Sequence, residues 1–436
     1  MSATLQLYSF ILALAHTVAR HIPGTRCKAH ARRLWVHHLR ELQGLHCPTG
    51  TPRLWVHAAS AGEFEHIRPV LELLRERLPG LSVVLSFFSP SGLAAHKTTP
   101  LADVIVLLPP DLPTTVHSFL NAVHPDVAVF IRYELWPGYL TALRQRGIPT
   151  VLMAATFPRS HLWTLPGPRT LLRKTLRCFR LIMALNSREA VAFQRFVPDV
   201  PTVSIPDPRY DRIWAVVHQQ TDLHLPDASH TSERFRIVAG STWNADHRLL
   251  RQAIPRLPEA LRARLTLVIV PHEPTPEAVD SLLRLFPQAY CWSRIQPNTS
   301  LAEDRAAPLV VIVDRLGLLL QLYRIGNAAY VGGGFGRCVH NLAEPAAYGL
   351  PLACGPAVAA SPDAGKLLSA GALTIVRTAD ELAQWLETMS TSPADREHRG
   401  AAARAVIEHQ LGGAENVATT LATLLHSRYS KVQQIS

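Results

Sequence analysis

The chain has 436 residues, 47% of them hydrophobic and 18% charged. That is a globular composition on a chain too long for one ordinary core, and it excludes a disordered or collagen-like polymer. A formal net charge of +11 favours an anionic partner, either a phosphorylated substrate or an acidic membrane face. Nucleic acid ranks below both, because no RNA-recognition signature, zinc-finger spacing or aromatic–basic interleaving is present. The six cysteines form no C-x-x-C pair and read as reduced thiols. The 21 histidines include no H-E-x-x-H and no tight His/Cys/Asp cluster, so a zinc site would need assembly from distant segments.

In chain order, the first element is TLQLYSFILALAHTVA, Thr4 to Ala19. It falls short of the ~20 apolar residues that span a bilayer, and no positively charged segment precedes it as in a signal peptide. Arg20, Arg26, Lys28, Arg32 and Arg33 follow directly. The stretch reads as a helix lying in or dipping into the membrane, its basic flank on anionic headgroups of the cytoplasmic face. A buried first helix of the fold is the other reading.

From Leu54 onward, short apolar runs alternate with helical patterns. Strands are predicted at Leu54–Ala58, Ser82–Phe87, Val104–Leu108, Val127–Ile131, Thr150–Ala154 and Leu181–Ala184. Helices are predicted over Phe64–Leu78, stopped by Pro79-Gly80, and over Gly138–Arg146. Between Ile213 and Arg234 the period fails and a linker is predicted. Alternation resumes at Arg236–Ala239, Leu265–Val270, Ala289–Trp292, Leu309–Val313, Ala328–Gly332, Leu352–Cys354 and Ala372–Val376. The expected organisation is a membrane-associated segment (1–50), a first α/β domain (51–215), a linker (216–235) and a second α/β domain (236–436). Ligands of such sheets sit beyond the carboxyl ends of the strands, and the cleft between two such domains is the expected site.

Five stretches carry candidate chemistry. HAASAGEFE places Ser60-Ala61-Gly62-Glu63 between a strand and a helix. Ser-x-x-Glu there is a capping box, but Glu63 also stands where a catalytic carboxylate would. FIRYELWPGYL places Glu134 just past its own strand, and two carboxylates at neighbouring strand ends suit acid–base work. AAYVGGGFGRCVHNLAEPAAYGLP reads as strand, glycine loop and a helix beginning near Asn341, whose N-terminus would favour an anion. Glu344 in its first turn can accept from ribose hydroxyls. GSTW and PHEP follow strands and aim Ser241 or Thr242, and His272 and Glu273, at the same place. No D-x-D pair and no Walker loop is present, so no metal or cofactor is expected.

Taken together these motifs resemble the 3-deoxy-D-manno-octulosonic acid (Kdo) transferases. HAASAGEFE, FFSPSG, LLPPDLP, YELWP, PDPRYDR, GSTW, PHE and GGGFGRCVHNLAEPAAYGLP occur in the family's order, from about Leu54 to the ADELAQWL helix. The chain departs from many members at Pro206, Cys338, Ala343 and the Pro271-His272-Glu273 triplet. The resemblance implies two Rossmann-like domains facing across a cleft, the B-type glycosyltransferase fold. It implies CMP-Kdo as donor, a phosphorylated lipid A precursor as acceptor and work at the cytoplasmic face of the inner membrane. It also implies Glu63 as catalytic base, Glu134 as a second acidic residue, and Ser60 and Gly62 on the acceptor side. Ser241, Thr242, His272, Glu273, Gly333, Gly334, His340, Asn341 and Glu344 fall on the donor-side motifs. A B-type transferase or epimerase using a UDP- or GDP-sugar, and a nonenzymatic sugar-nucleotide binder, are the alternatives.

Overall fold

The computed structural model describes residues 51–219, 234–295 and 308–433. The Thr4–Ala19 segment, its basic flank and most of the expected linker lie outside the described residues. Among the described residues no helix is long and apolar enough to cross a membrane. The described residues divide into two compact units, one formed by those up to Arg212 together with those from Leu411 onward, the other by those between Ile213 and Gln410.

The first unit is a seven-stranded sheet in the order β3-β2-β1-β4-β5-β6-β7, all pairings parallel. The strands are β1 Arg53–Ala58, β2 Ser82–Phe87, β3 Val104–Leu107, β4 Val127–Ile131, β5 Thr150–Ala155, β6 Leu181–Ala184 and β7 Thr202–Ser204. Period-2 alternation splits β1 between two cores. Leu54, Val56 and Ala58 pack with Phe64, Ile67, Leu71 and Leu74 of the Ala61–Arg77 helix. Trp55 packs on the other face with Phe119, Phe130 and Tyr139. His57 shares the parity of Trp55 and lies opposite Phe130 of β4 and Ser86 of β2.

One boundary differs from expectation. The final helix, Gly413–Gln433, was expected in the second domain, but Ala414, Val417, Leu421 and Leu425 complete the core of the first. Asp211 anchors it, accepting from the backbone N–H of Gly412 (2.7 Å) and Ala414 (2.8 Å). That contact joins residues two hundred apart and has no local signature. The expected linker is likewise helical where it begins, since Arg209–His218 forms a helix.

The second unit repeats the plan, with order β10-β11-β9-β8-β12-β13-β14. Its strands are β8 Phe235–Thr242, β9 Leu265–Pro271, β10 Tyr290–Cys291, β11 Leu309–Ile312, β12 Ala328–Val331, β13 Leu352–Cys354 and β14 Leu373–Ile375. In each unit the strand order reverses beside a central strand, between β1 and β4 and between β8 and β12. Loops leaving the carboxyl ends at these switch points form the concave edge where doubly wound sheets bind ligands.

Candidate functional site

In the first unit the switch point joins the turn after β1 to the loop after β4. Ser60 is extended (φ −141°, ψ 168°) and its hydroxyl accepts from the Glu63 N–H at 3.4 Å, capping the Ala61–Arg77 helix. The reciprocal bond of a capping box would run from the Ser60 N–H. Instead the Ala59 N–H, one residue earlier, donates to Glu63 Oε2 at 2.6 Å. The sequence reading therefore had the cap right and its return bond displaced by one residue. FFSPSG supports this turn from β2: the Ser89 N–H donates to the Ala59 carbonyl (2.9 Å), and Ser89 caps the Pro90–His96 helix through the Gly92 N–H (3.0 Å).

Glu63 is only 7% exposed. Burial, followed by the nearby charge of Glu134, raises its pKa to about 7; the Ala59 hydrogen bond and the Arg132 charge oppose the rise without cancelling it. A carboxyl in such an environment exchanges protons near neutrality, as a general base should. Beside it Gly62 is exposed, and a Cβ at that position would meet no atom within 4 Å, so the turn leaves room for a bulky ligand.

Glu134 sits in the loop between β4 and the Pro137–Gln145 helix. Its Oε2 accepts from Trp136 Nε1 (2.8 Å) and faces His57 Nε2 at 3.3 Å. Asp111 of LLPPDLP stabilises the following helix, accepting from the N–H groups of Gly138 and Tyr139, both at 2.9 Å. At Gly138 any Cβ would strike that carboxylate. Arg132 has φ +63°, left-handed backbone that an arginine rarely adopts, and its Nη1 approaches His66 Nε2 at 3.4 Å. His66 in turn meets Asp207 at 3.0 Å. Sequence reasoning did not single out His57, His66 or Arg132, and knew Asp207 only as part of PDPRYDR. Each is isolated in sequence and acquires meaning through partners distant along the chain.

In the second unit the glycine turn is held from beneath by Asp246, which is 1% exposed. Its carboxylate accepts from the N–H of Trp243 (2.8 Å), the N–H of Gly333 (3.1 Å) and the Tyr330 hydroxyl (2.7 Å). The Gly332 N–H donates to the Gly240 carbonyl at 2.9 Å. Two of the three glycine amides are therefore committed within the protein, so the Gly333 N–H answers to Asp246. The glycines answer to packing: a Cβ at Gly334 would lie 2.6 Å from the Gly355 nitrogen, and Gly333 needs φ +88°. Asp246 was missed by sequence reasoning; its signal was an acid three residues after Trp243, at the N3 position of a helix.

Thr242 is also corrected. It is buried, its hydroxyl donating to the Val270 carbonyl (3.3 Å) and meeting His247 Nε2 at 2.8 Å. Burial lowers the His247 pKa to about 4, so this imidazole is neutral at physiological pH. Ser241, by contrast, is half-buried with φ +52°. The helix expected near Asn341 begins at Ala343 and has five residues, too short for a full macrodipole. Its N-cap is Leu342; Asn341, just before it, accepts from the Ala343 N–H (3.0 Å) while its amide donates to Glu344 Oε1 (2.9 Å).

His272, Glu273 and Trp243 are exposed at this edge. The His272 and His340 rings stack with centroids 4.2 Å apart, Trp243 lies 4.8 Å from His272, and its indole N–H donates to His340 Nε2 at 2.7 Å. Burial and the neighbouring His272 lower the His340 pKa, consistent with an Nε2 that accepts. The result is a stack of three aromatic rings with polar edges. Among the described residues no group of three or more His, Cys, Asp or Glu is placed to hold a metal ion.

Comparison with known proteins agrees with this geometry. The family profile described as 3-Deoxy-D-manno-octulosonic-acid transferase (kdotransferase) matches residues 29–211. A 3-deoxy-D-manno-octulosonic acid transferase of Haemophilus influenzae is 26% identical over 83% of this chain and 84% of its own. That of Chlamydia pneumoniae is 27% identical over 76% and 75%. A solved structure of a putative UDP-N-acetylglucosamine 2-epimerase from Listeria monocytogenes superposes with a TM-score of 0.57 at 10% identity, covering 87% of this chain and 97% of that one. That likeness concerns the fold alone, the pair of doubly wound units of the B-type glycosyltransferase class. The similarity to transferases of one kind extends over most of the chain, and the profile match covers the strands and helices around Glu63, so the chain is a glycosyltransferase that resembles the Kdo transferases.

Proposed function

We propose that the chain moves Kdo from CMP-Kdo to a hydroxyl of a phosphorylated lipid A precursor, with Glu63 as general base and inversion at the anomeric carbon. The observation that carries this reading is the buried Glu63 carboxyl, its pKa raised to about 7 beside an open turn. Glu63 takes the acceptor proton as the acceptor oxygen bonds the anomeric carbon. The bond from that carbon to the CMP phosphate oxygen breaks, and CMP leaves as an anion. A positioned base contributes roughly 10²- to 10⁴-fold, and groups that stabilise the departing charge contribute further.

On this reading the donor is held by the second unit. Its aromatic stack of Trp243, His272 and His340 suits a nucleobase or a phosphate, and Ser241, Gly334, Asn341, Glu273 and Glu344, on the same group of motifs, are assigned to the donor with it. Ser60, Gly62 and Glu134 belong to the acceptor side. The net charge of +11 suits an acceptor carrying phosphates at an anionic, cytoplasmic membrane face. The chemistry requires no metal or cofactor, because the donor phosphate is already a good leaving group. Purified protein with CMP-Kdo and a tetraacylated lipid A precursor, the products weighed by mass spectrometry, tests the reading. A mass increase of one or more Kdo units supports it; no transfer from CMP-Kdo refutes it.

A further inference from the structure

Two hydrogen-bonded chains end at the switch point that holds Glu63: His66 lies three residues beyond it on the same helix, and His57 lies on β1, the strand that leads into its turn. The first starts at Asp207, buried and bound by Arg209 through Nε (2.9 Å) and Nη2 (2.6 Å). Burial alone would raise its pKa, but the His66 hydrogen bond and the Arg209 charge hold it below the usual carboxylate range. Asp207 is therefore an acceptor only, so the proton between it and His66 belongs to Nδ1 (3.0 Å). Burial lowers the His66 pKa, so its Nε2 carries a lone pair, and Arg132 Nη1 donates to it. Arg132 Nε is buried without a hydrogen-bond partner among the described residues. A guanidinium held this way, on left-handed backbone, is an expensive arrangement for fold alone.

The second chain starts at Trp55, whose indole N–H donates to Ser86 Oγ at 2.8 Å. Ser86 Oγ meets His57 Nδ1 at 2.9 Å. His57 Nε2 then faces Glu134 Oε2, which also receives the Trp136 indole N–H. A carboxylate accepts only, so Nε2 carries the proton whatever the state of Nδ1.

We propose that two locked charges of opposite sign at the switch point that holds Glu63, Arg132 fixed by His66 and Asp207 and Glu134 fixed by His57 and Trp136, set how readily Glu63 takes a proton. The inference rests on the assignment of Glu63 as base. Glu134 raises and Arg132 lowers its proton affinity, so the balance can be moved either way by a single substitution. The other charged groups nearby are engaged elsewhere. Glu65 pairs with Arg68 (3.6 Å) and Arg212 (2.6 Å), Arg209 pairs with Asp207, and His96 stacks on Phe64 at 4.5 Å. His57, His66 and Asp207 are thus positioning residues.

The test is the pH dependence of kcat/KM for the full-length protein with CMP-Kdo and a tetraacylated lipid A precursor. Glu134→Gln keeps the shape and removes the negative charge; the acid limb moves down by about one pH unit. Arg132→Gln removes the cation, and the limb moves up by about one unit. Arg132→Lys restores part of that displacement, and Asp207→Asn, which loosens the lock, moves the limb in the Arg132→Gln direction. Limbs that stay put, or move together, overturn the proposal. If a variant is inactive, the same quantity is read from its pH-dependent unfolding free energy against a double variant with Glu63→Gln, and the same opposite displacements are required. Near wild-type turnover of Glu63→Gln would sink the base assignment itself. An inactive Glu63→Gln with unmoved limbs sinks only the present inference.

Discussion

Glu63→Gln is the most informative single perturbation, because the amide keeps the volume and can still accept from the Ala59 N–H while losing the ability to take a proton. Two magnitudes follow. Loss of a positioned base lowers kcat by roughly 10²- to 10⁴-fold. The second concerns stability. Folding raises the Glu63 pKa from its ordinary 4.5 to about 7. Between these values the folded protein binds a proton that the unfolded chain has released, so stability falls as pH rises. A rise of about 2.5 in pKa, at ~1.4 kcal/mol for each tenfold change, corresponds to ~3 kcal/mol. The contribution of the protonated carboxyl is fully present below pH 4.5 and has been lost once pH passes about 7. Glu63→Gln has no such dependence. Urea unfolding of both proteins from pH 4.5 to 8 should therefore show the variant gaining on wild type by ~3 kcal/mol across the window, while transfer assays show its loss of turnover. A stability difference that is flat with pH would mean that Glu63 titrates normally, and near wild-type turnover would mean that it is not the base.

Three further expectations reach other parts of the molecule. Asp246→Ala leaves the Trp243 and Gly333 N–H groups and the Tyr330 hydroxyl without their acceptor; at ~1–3 kcal/mol for a buried donor, thermal unfolding should reveal a loss of about 3–5 kcal/mol, and a loss below 1 kcal/mol would show that the turn is held by other contacts. In a thermal-shift series CMP should stabilise the protein more than UDP or GDP at equal concentration; preferential stabilisation by UDP would favour the alternative sugar-nucleotide reading. Asp211→Ala removes the anchor of the Gly413–Gln433 helix; about 1–2 kcal/mol should be lost, with earlier proteolytic release of the C-terminal segment, and an unchanged digestion pattern would deny Asp211 that role.

What could be read from sequence divides along physical lines. Ser82–Phe87, Val127–Ile131, Leu181–Ala184 and Leu352–Cys354 are strands at the residues expected, because each is a short apolar run that the neighbouring residues end sharply. Thr202–Ser204 was missed. It is a three-residue edge strand with two exposed positions, too short for a period to declare itself. Strand β8 runs three residues past the expected Ala239, through Gly240-Ser241-Thr242, a triplet whose composition reads as a turn. The return of the last helix to the first unit depends on Asp211 meeting Gly412 and Ala414, a contact with no local trace. The same holds for the buried partners at the candidate site of each unit. His57 and Ser86, His66 and Asp207, and Asp246 and Gly333 lie 29, 141 and 87 residues apart, and each partner alone looks like a buried polar residue with no stated purpose.

The capping signature around Ser60 bears on the chemistry in a way that sequence could not decide. A carboxylate in the first turn of a helix accepts orphan N–H groups and is favoured as the anion, which argues against a base active at neutral pH. The structure retains that effect, since the Ala59 bond lowers the Glu63 pKa, but it buries the group and sets Glu134 beside it. Desolvation and a like charge act on the same carboxyl in the other direction, and their sum is larger. Capping and proton transfer are therefore compatible duties. The bond to Ala59 fixes the orientation of one oxygen, while the environment supplies an affinity that no capping residue requires. A residue placed only to end a helix would gain nothing from Trp136 and His57 holding a second carboxylate nearby, and removing that carboxylate would stabilise its anion. If Glu134→Gln lowers turnover although it makes Glu63 easier to ionise, the raised affinity has a use in the reaction; if turnover rises, it is a by-product of packing.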